Sequence, residues 1–406
     1  MLEWSEKFRK NGESNRMPSF VDFIEQVRDA NPIEDVIEES GVKLHGHGRL
    51  RTGSQHDSLK VRTDMQRAFW YSQNWHGDVF AWVMRDKGVE FMDAVLLLSR
   101  RAHIEMPKFS QVNESEVRRT RATADVFSVA ATVFQRWLVG DEEKGIKADE
   151  EALAYCHGRG WTDETIKLSL TGFSGRKSEA QIKDMTGDFS LFGINPRSAA
   201  AVAVLGFQGD VEVWAKEQGL LEHEDFDEGW IEKGRIHGLM DTPGLIYAHQ
   251  HRNGVNYLSR RQLPGHDKIK DRETSKMREW KSFNPYKLLA GSKQVYFNQA
   301  HRIDAALVMV EGQGDAITWG QWWKGAMAWC GLLGDPDQLA DDDRERTLRL
   351  AGYLKKHPAL YLALDEDEAG QKDIRLAAKL LGPRLQIVHM TRAVTREDVK
   401  EESEQS

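Results

Sequence analysis

The sequence predicts a multidomain chain of mixed class, α+β and α/β: a small N-terminal module built on a β-sheet, a helical and β subdomain with a basic surface, and a C-terminal α/β domain. Three observations predict it. The 406 residues exceed one ordinary domain and suit two or three, each able to bury a core. Charge is unevenly spread: residues 251–302 hold twelve Lys and Arg against four acids, a local +8, so the rest of the chain carries −16 under a net charge of −8. Beyond residue 303, short apolar runs alternate with helical stretches, the order of a small layered domain with a largely parallel sheet.

From Phe20 to about Pro107 short helical and strand-like pieces alternate, and residues 108–123 turn polar and charged without sustained periodicity, which predicts a linker. In residues 124–138 the apolar Val126, Val129, Ala130, Val133, Phe134 and Trp137 recur at spacings of three and four, an amphipathic helix. A second helix is expected over 150–157, and Trp161-Thr162-Asp163-Glu164 reads as a capping box opening a third. Between Gly234 and Phe297, short apolar runs at 236–240, 245–248, 255–258 and 295–297 are broken by Gly, Pro and Asn, which predicts strands and turns. No internal repeat is apparent.

Composition excludes several classes. No apolar run approaches the roughly 18–20 residues that span a bilayer, and the opening Met1-Leu2-Glu3-Trp4-Ser5-Glu6-Lys7 lacks the apolar stretch of an export signal. A cytoplasmic protein without a membrane partner is expected. Only Cys156 and Cys330 are present, so neither a disulfide framework nor a thiolate zinc site is available. The +8 segment suits a surface that neutralises nucleic-acid phosphates, against the plainer alternative of a solvated basic face.

The chemistry-bearing pattern is acidic. Residues 305–310 form a buried-type strand that runs into Glu311-Gly312, and Asp315 opens the following helix. Residues 359–364 form another, ending in Asp365-Glu366-Asp367 before Ala369-Gly370. Two aspartates one residue apart share a side of an extended backbone. Such oxygen ligands suit Mg²⁺ or Mn²⁺, which keep waters free for phosphate. The glycines let backbone approach a ligand closely.

Glu311-Gly312 after one strand and Asp365-x-Asp367 after a later one resemble the TOPRIM domain shared by primases, topoisomerases and several nucleases. Glu311-Gly312-Gln313-Gly314-Asp315 and Asp365-Glu366-Asp367-Glu368-Ala369-Gly370 resemble the form found in bacterial-type (DnaG-like) primases. Asp398-Val399-Lys400-Glu401, after a strand expected over 385–390, sits where that family carries its last acidic motif, with Lys400 in place of a carboxylate. The resemblance covers most of the chain. Ala152 to Gly160, Glu164-Thr165-Ile166 and Gly172-Phe173 look like the helical start of the primase core. Gly234-Arg235-Ile236, Asn253-Gly254 and Tyr257-Leu258-Ser259-Arg260-Arg261 resemble its basic strands, and Lys281-Ser282-Phe283-Asn284 its template- and nucleotide-facing motif. Ile33 to Pro107 resembles the N-terminal zinc-binding module, yet Gly53, His56, Trp70 and Gln73 stand where the family has three Cys and one His. One imidazole cannot close a structural zinc site, so no zinc is expected. His45, His47, His56 and His76 are the alternative ligand set, and Phe69, Trp70, Tyr71, Trp75 and Trp82 form either a metal-replacing core or a base-stacking platform.

The resemblance implies three domains: a zinc-binding-like module at 1–110, a basic primase core subdomain at 120–302 and a TOPRIM catalytic domain at 303–406. It implies a DNA-directed RNA polymerase that makes short primers on single-stranded DNA from nucleoside triphosphates, with a replicative helicase as partner. Glu311, Asp365 and Asp367 are the expected catalytic carboxylates; with Asp315 and Asp398 they are the expected ligands of Mg²⁺ or Mn²⁺, Glu311 being alternatively a general base. Arg235, Arg260, Arg261, Lys281 and Asn284 are expected to contact template and nucleotide. The alternatives are a catalytically silent primase-derived subunit that binds DNA or a helicase, and a TOPRIM nuclease. The short extent of chain beyond the TOPRIM-like region suggests a phage or other mobile-element replication system.

Overall fold

The computed structural model describes residues 20–46, 48, 50–73, 75–106, 114–175, 177–223, 226–251, 254–261, 263, 282–283, 296–297, 305–322, 326–328, 335–339, 341–364 and 368–388. The chain divides into two compact units: residues 1–129 with 183–201 and 252–256, and residues 130–182 with 202–251 and 257–406.

In the first unit, α1 (Phe20–Asp29) and α2 (Ile33–Glu39) precede five strands, β1 (Leu44–His45), β2 (Leu50–Gly53), β3 (Leu59–Arg62), β4 (Arg67–Trp70) and β5 (Trp75–Gly77). The strands form an antiparallel meander in sequence order. α3 (Val79–Lys87) and α4 (Phe91–Arg101) follow. Period-two alternation turns Leu59 and Val61 into a core shared with Phe23, Ile37, Phe80, Trp82 and Leu98. Trp70 stacks on Trp82 with ring centroids 5.9 Å apart, Trp75 meets Trp82 edge-on at 5.4 Å, and the Arg85 guanidinium lies 4.8 Å from the Trp70 ring. Trp70, Trp75 and Trp82 are thus occupied in packing, whereas Tyr71 is exposed.

α3 shows why the module closes where it does. Asp78 caps it by accepting the Ala81 N–H at 2.9 Å, and Gly88 ends it in a left-handed conformation, φ +65°. The buried Asp78 carboxylate also meets Arg121 Nη2 at 2.6 Å and Arg28 Nη2 at 3.6 Å. Of the candidate histidines, His56 packs 5.1 Å from Trp70, and His76 lies against Phe69 and Phe192 with Nδ1 3.2 Å from Arg67 Nη2. Burial first, then Arg67, lowers the His76 pKa to about 4. His47 is outside the described residues.

The expected linker is corrected in part. Residues 107–113 are outside the description, but 114–123 already belong to α5 (Glu114–Val139). Its first turns are rich in Glu and Arg, good helix formers that sustain a helix without the apolar stripe that periodicity detects.

In the second unit, α6 (Glu150–Gly158) and α7 (Asp163–Leu168) lead to β6 (Gly172–Phe173). Thr162 caps α7, its hydroxyl accepting the Thr165 N–H at 3.1 Å. β7 (Phe207–Gln208) pairs with β8 (Arg235–Ile236). The run 236–240 is not one strand: the Asp241 carboxylate accepts the Gly238 N–H at 2.7 Å and folds Leu239–Asp241 into a tight turn. β9 (Leu245–His251), β10 (Gly254–Arg261) and β11 (Ser282–Phe283) then form a sheet ordered β11-β10-β9-β6.

A second sheet contains β12 (Tyr296–Phe297), β13 (Leu307–Val310), β14 (Ala326–Ala328), β15 (Leu360–Ala363) and β16 (Leu385–Ile387), ordered β12-β14-β13-β15-β16. β12 is antiparallel and the other four are mutually parallel. α8 (Gln313–Trp322) joins β13 to β14, α9 (Asp341–Leu354) lies between β14 and β15, and α10 (Glu368–Leu381) links β15 to β16. β13 is apolar at every position because both its faces are buried: Val308 and Val310 join one core, Leu307 and Met309 the other. The protein is therefore of mixed helix and sheet class with a parallel sheet. Among the described residues, no helix is long and apolar enough to cross a membrane.

Candidate metal centre and basic strands

In parallel α/β sheets, ligands gather beyond the carboxyl ends of the strands. β13 and β15 are hydrogen-bonded neighbours with Val310 opposite Ala363. Glu311 therefore leaves the sheet one residue beyond this last pair on one strand, and Asp365 follows two residues beyond it on the other. Glu311 is exposed to solvent at this edge. Asp365, Asp367 and Asp398 lie outside the described residues, and among the described residues no three His, Cys, Asp or Glu side chains converge.

Asp315 is more constrained. Its Oδ2 accepts the Gly312 N–H at 3.2 Å, the reciprocal half of a helix cap at the start of α8, and its Oδ1 lies 3.5 Å from Arg159 Nη2. Arg159 lies within the Ala152 to Gly160 motif, whose sequence assigns it no role; the fold carries its guanidinium from beyond α6 to Asp315 at the start of α8. A Cβ on Gly314 would stand 3.0 Å from Arg159 Nη2, so glycine keeps this approach open. The junction is stitched further. Trp161 Nε1 donates to Thr318 Oγ1 at 2.9 Å, and the Gln321 amide accepts the Thr162 N–H at 2.9 Å and donates to the Gly160 carbonyl at 3.0 Å. The start of α8, which follows Glu311, is thus held by residues 159–162.

The basic residues separate into different roles. Arg235 is exposed and donates to Asp241 Oδ1 at 3.1 Å. Arg261 is half-buried at the end of β10, opposite Ser282. Lys281 and Asn284 lie outside the described residues and flank β11, which pairs with β10 at Arg260 and Arg261. Arg260 corrects the expectation of a phosphate contact. It is 3% exposed, and its Nη1 donates to the carbonyls of Thr242 at 2.8 Å and Leu239 at 3.2 Å. Its neighbours on β10 are buried on both faces, so this guanidinium ties the 239–242 turn to the sheet.

Arg260→Met is accordingly expected to lower stability by about 1–3 kcal/mol, because buried carbonyls lose their donor. The salt dependence of single-stranded DNA binding should not change. A thermal melt and a salt titration check the pair; an unaltered melt with a flatter slope would return Arg260 to the binding surface.

No family model matches the chain. A DNA primase of Chlamydia trachomatis is 30% identical over 104 residues, 24% of this chain and 16% of that protein, so the match spans about a sixth of the relative's length. Two solved structures are similar in outline. The zinc-binding and RNA polymerase domains of the Aquifex aeolicus primase superpose at a TM-score of 0.45 with 16% identity, covering 96% of this chain and 85% of theirs. A DnaG primase catalytic domain bound to ssDNA gives 0.41 with 15% identity, covering 71% and 79%.

Proposed function

We propose that this protein is a DNA primase-like nucleotidyltransferase that synthesises short RNA primers on single-stranded DNA with Mg²⁺ or Mn²⁺, and that its catalytic domain is of the TOPRIM type. The observation that carries this reading is the parallel pairing of β13 with β15, from whose adjacent carboxyl ends Glu311 and the Asp365-Glu366-Asp367 segment follow. The 104-residue similarity to a DNA primase supports it.

The donor set suits the metal: Glu311, Asp315, Asp365, Asp367 and Asp398 would offer only carboxylate oxygens to a hard cation. Bound there, Mg²⁺ or Mn²⁺ would neutralise triphosphate charge and favour in-line displacement of pyrophosphate by a 3′-hydroxyl. Glu311 holds this charge or receives the hydroxyl proton. Asp315 fixes the start of α8 and anchors Arg159, whose guanidinium is available to a phosphate oxygen. Arg235, Arg261, Lys281 and Asn284 hold template and nucleotide. The N-terminal module holds together by aromatic packing without zinc.

Incubation with single-stranded DNA, labelled ribonucleoside triphosphates and Mg²⁺ or Mn²⁺ tests the proposal. New short products are expected. Loss of template would identify a nuclease, and a mobility shift without products would identify a silent DNA-binding protein.

A further inference from the structure

A linker behind the N-terminal module, as the sequence predicts, would leave the module free to swing. From residue 114 onward that stretch is instead helical, and three pieces of chain from outside the module close on it within the first unit. The first is α5. Arg67 of β4 is 3% exposed, and its Nη2 pairs with Asp125 of α5 while also meeting His76 Nδ1 at 3.2 Å. Arg121 of the same helix reaches the buried Asp78 at 2.6 Å, with its guanidinium 4.9 Å from the Phe91 ring. The second piece is Phe192. The helix Glu179–Leu191 ends in a tight turn: Gly193 has φ +66°, the Ile194 N–H bonds the Phe189 carbonyl at 2.8 Å and the Gly193 N–H bonds that of Ser190 at 3.1 Å. Phe192 is therefore presented from a fixed cap, and its ring lies 6.0 Å from Phe69, 5.8 Å from Tyr71 and 4.8 Å from His76. The third is the turn between β9 and β10. A Cβ on Gly254, φ +110°, would stand 2.8 Å from Arg67 Cδ and 2.7 Å from Ser128 Oγ, and that hydroxyl accepts the Val255 N–H at 3.0 Å.

Arg67 is where these pieces meet: it pairs with α5, touches the ring that Phe192 covers and backs onto Gly254. A module on a mobile arm has little use for such a joint, because its enclosed guanidinium would have to be dehydrated again at every return. Enclosed charges with matched partners specify one orientation, and the ring contacts around Phe192 add apolar burial to it. We propose that the N-terminal module is locked onto α5 and Phe192 of its own chain and works only in cis, so that copies of the protein neither release nor exchange their modules. The lock is independent of the chemistry assigned to Glu311.

Photo-crosslinking in the full chain tests it. p-Benzoylphenylalanine in place of Phe192 keeps an aromatic group at the pin and, on irradiation, inserts into a neighbouring C–H bond. Chains of ordinary and of heavy-nitrogen label are mixed before irradiation. Crosslinks to peptides spanning residues 67–77 are expected, in isotopically pure pairs. Mixed light and heavy pairs would overturn the cis assignment, and a folded chain without crosslinks to 67–77 would overturn the lock. Hydrogen exchange gives a second reading that needs no bulky substitution and decides the matter if the first variant does not fold. Asp125→Asn is expected to speed exchange of the β4 and β5 amides and of the Val255 N–H together, by about ten-fold, because the enclosed Arg67 loses its counter-ion and the joint opens as one unit. Unchanged exchange in β4 and β5, or faster exchange there with Val255 unaffected, would show that the module and the segments around it open separately and would overturn the lock.

Discussion

Glu311→Gln is expected to abolish nucleotide joining, with product yield falling by about 10²-fold or more, as when a charge-stabilising group is removed at a reacting centre. The substitution keeps the shape of the side chain and removes its charge. Because Glu311 is exposed beyond the last residue of β13, stability in a thermal melt should hold within about 0.5 kcal/mol, as is typical of surface changes. Single-stranded DNA binding should also persist, since the proposal assigns it to the basic residues. Asp365→Ala and Asp367→Ala should behave alike. Normal yield from Glu311→Gln would remove this residue from the metal centre.

The largest expected stability effect lies elsewhere, at Asp78. Its carboxylate caps α3 and is enclosed with Arg28 and Arg121, so Asp78→Ala leaves two guanidiniums without their counter-ion and should destabilise the first unit by about 3–5 kcal/mol. Hydrogen exchange of the amides in α3 and α4 reads this directly; protection equal to wild type would refute it. Its pH dependence has a defined sign. Burial alone would push the carboxyl up, but Arg121, Arg28 and the Ala81 N–H outweigh burial and hold its pKa at about 2. An unfolded aspartate titrates near ~3.9, so the unfolded chain takes up this proton first as pH falls. The contribution is full above about pH 4 and is lost as pH falls through 2. The gap between wild type and Asp78→Ala should narrow over that window.

How much of this the sequence discloses depends on range. The β13 run is legible because both its faces are buried, so an unbroken apolar stretch ending in Glu311 marks the strand and the point where it stops. β15 is legible from a similar run, with Tyr361 half-buried among Leu360, Leu362 and Ala363. The first turns of α5 were not legible, because a polar helix leaves no stripe to count. Arg260 and Arg261 are adjacent and chemically equal, and nothing local says that one is turned into the fold against Leu239 and Thr242 while the other ends the strand half-exposed. The Asp241 carboxylate also accepts from Lys177 Nζ at 2.5 Å, 64 residues away, a pairing set by tertiary structure alone. Arg159 is intermediate: its motif is legible, but its approach to Asp315 spans 156 residues.

The proposal that Glu311 and the Asp365-Glu366-Asp367 segment share one divalent ion is most directly tested by replacing Mg²⁺ with Fe²⁺ and adding ascorbate and peroxide, which cut the backbone beside a bound metal. Fragment mapping should place cleavage near residues 311–315 and 365–367, suppressed by excess Mg²⁺ and by Glu311→Gln. Cleavage elsewhere, or at these positions but unaffected by either, would contradict a metal centre at the carboxyl edge of the parallel sheet.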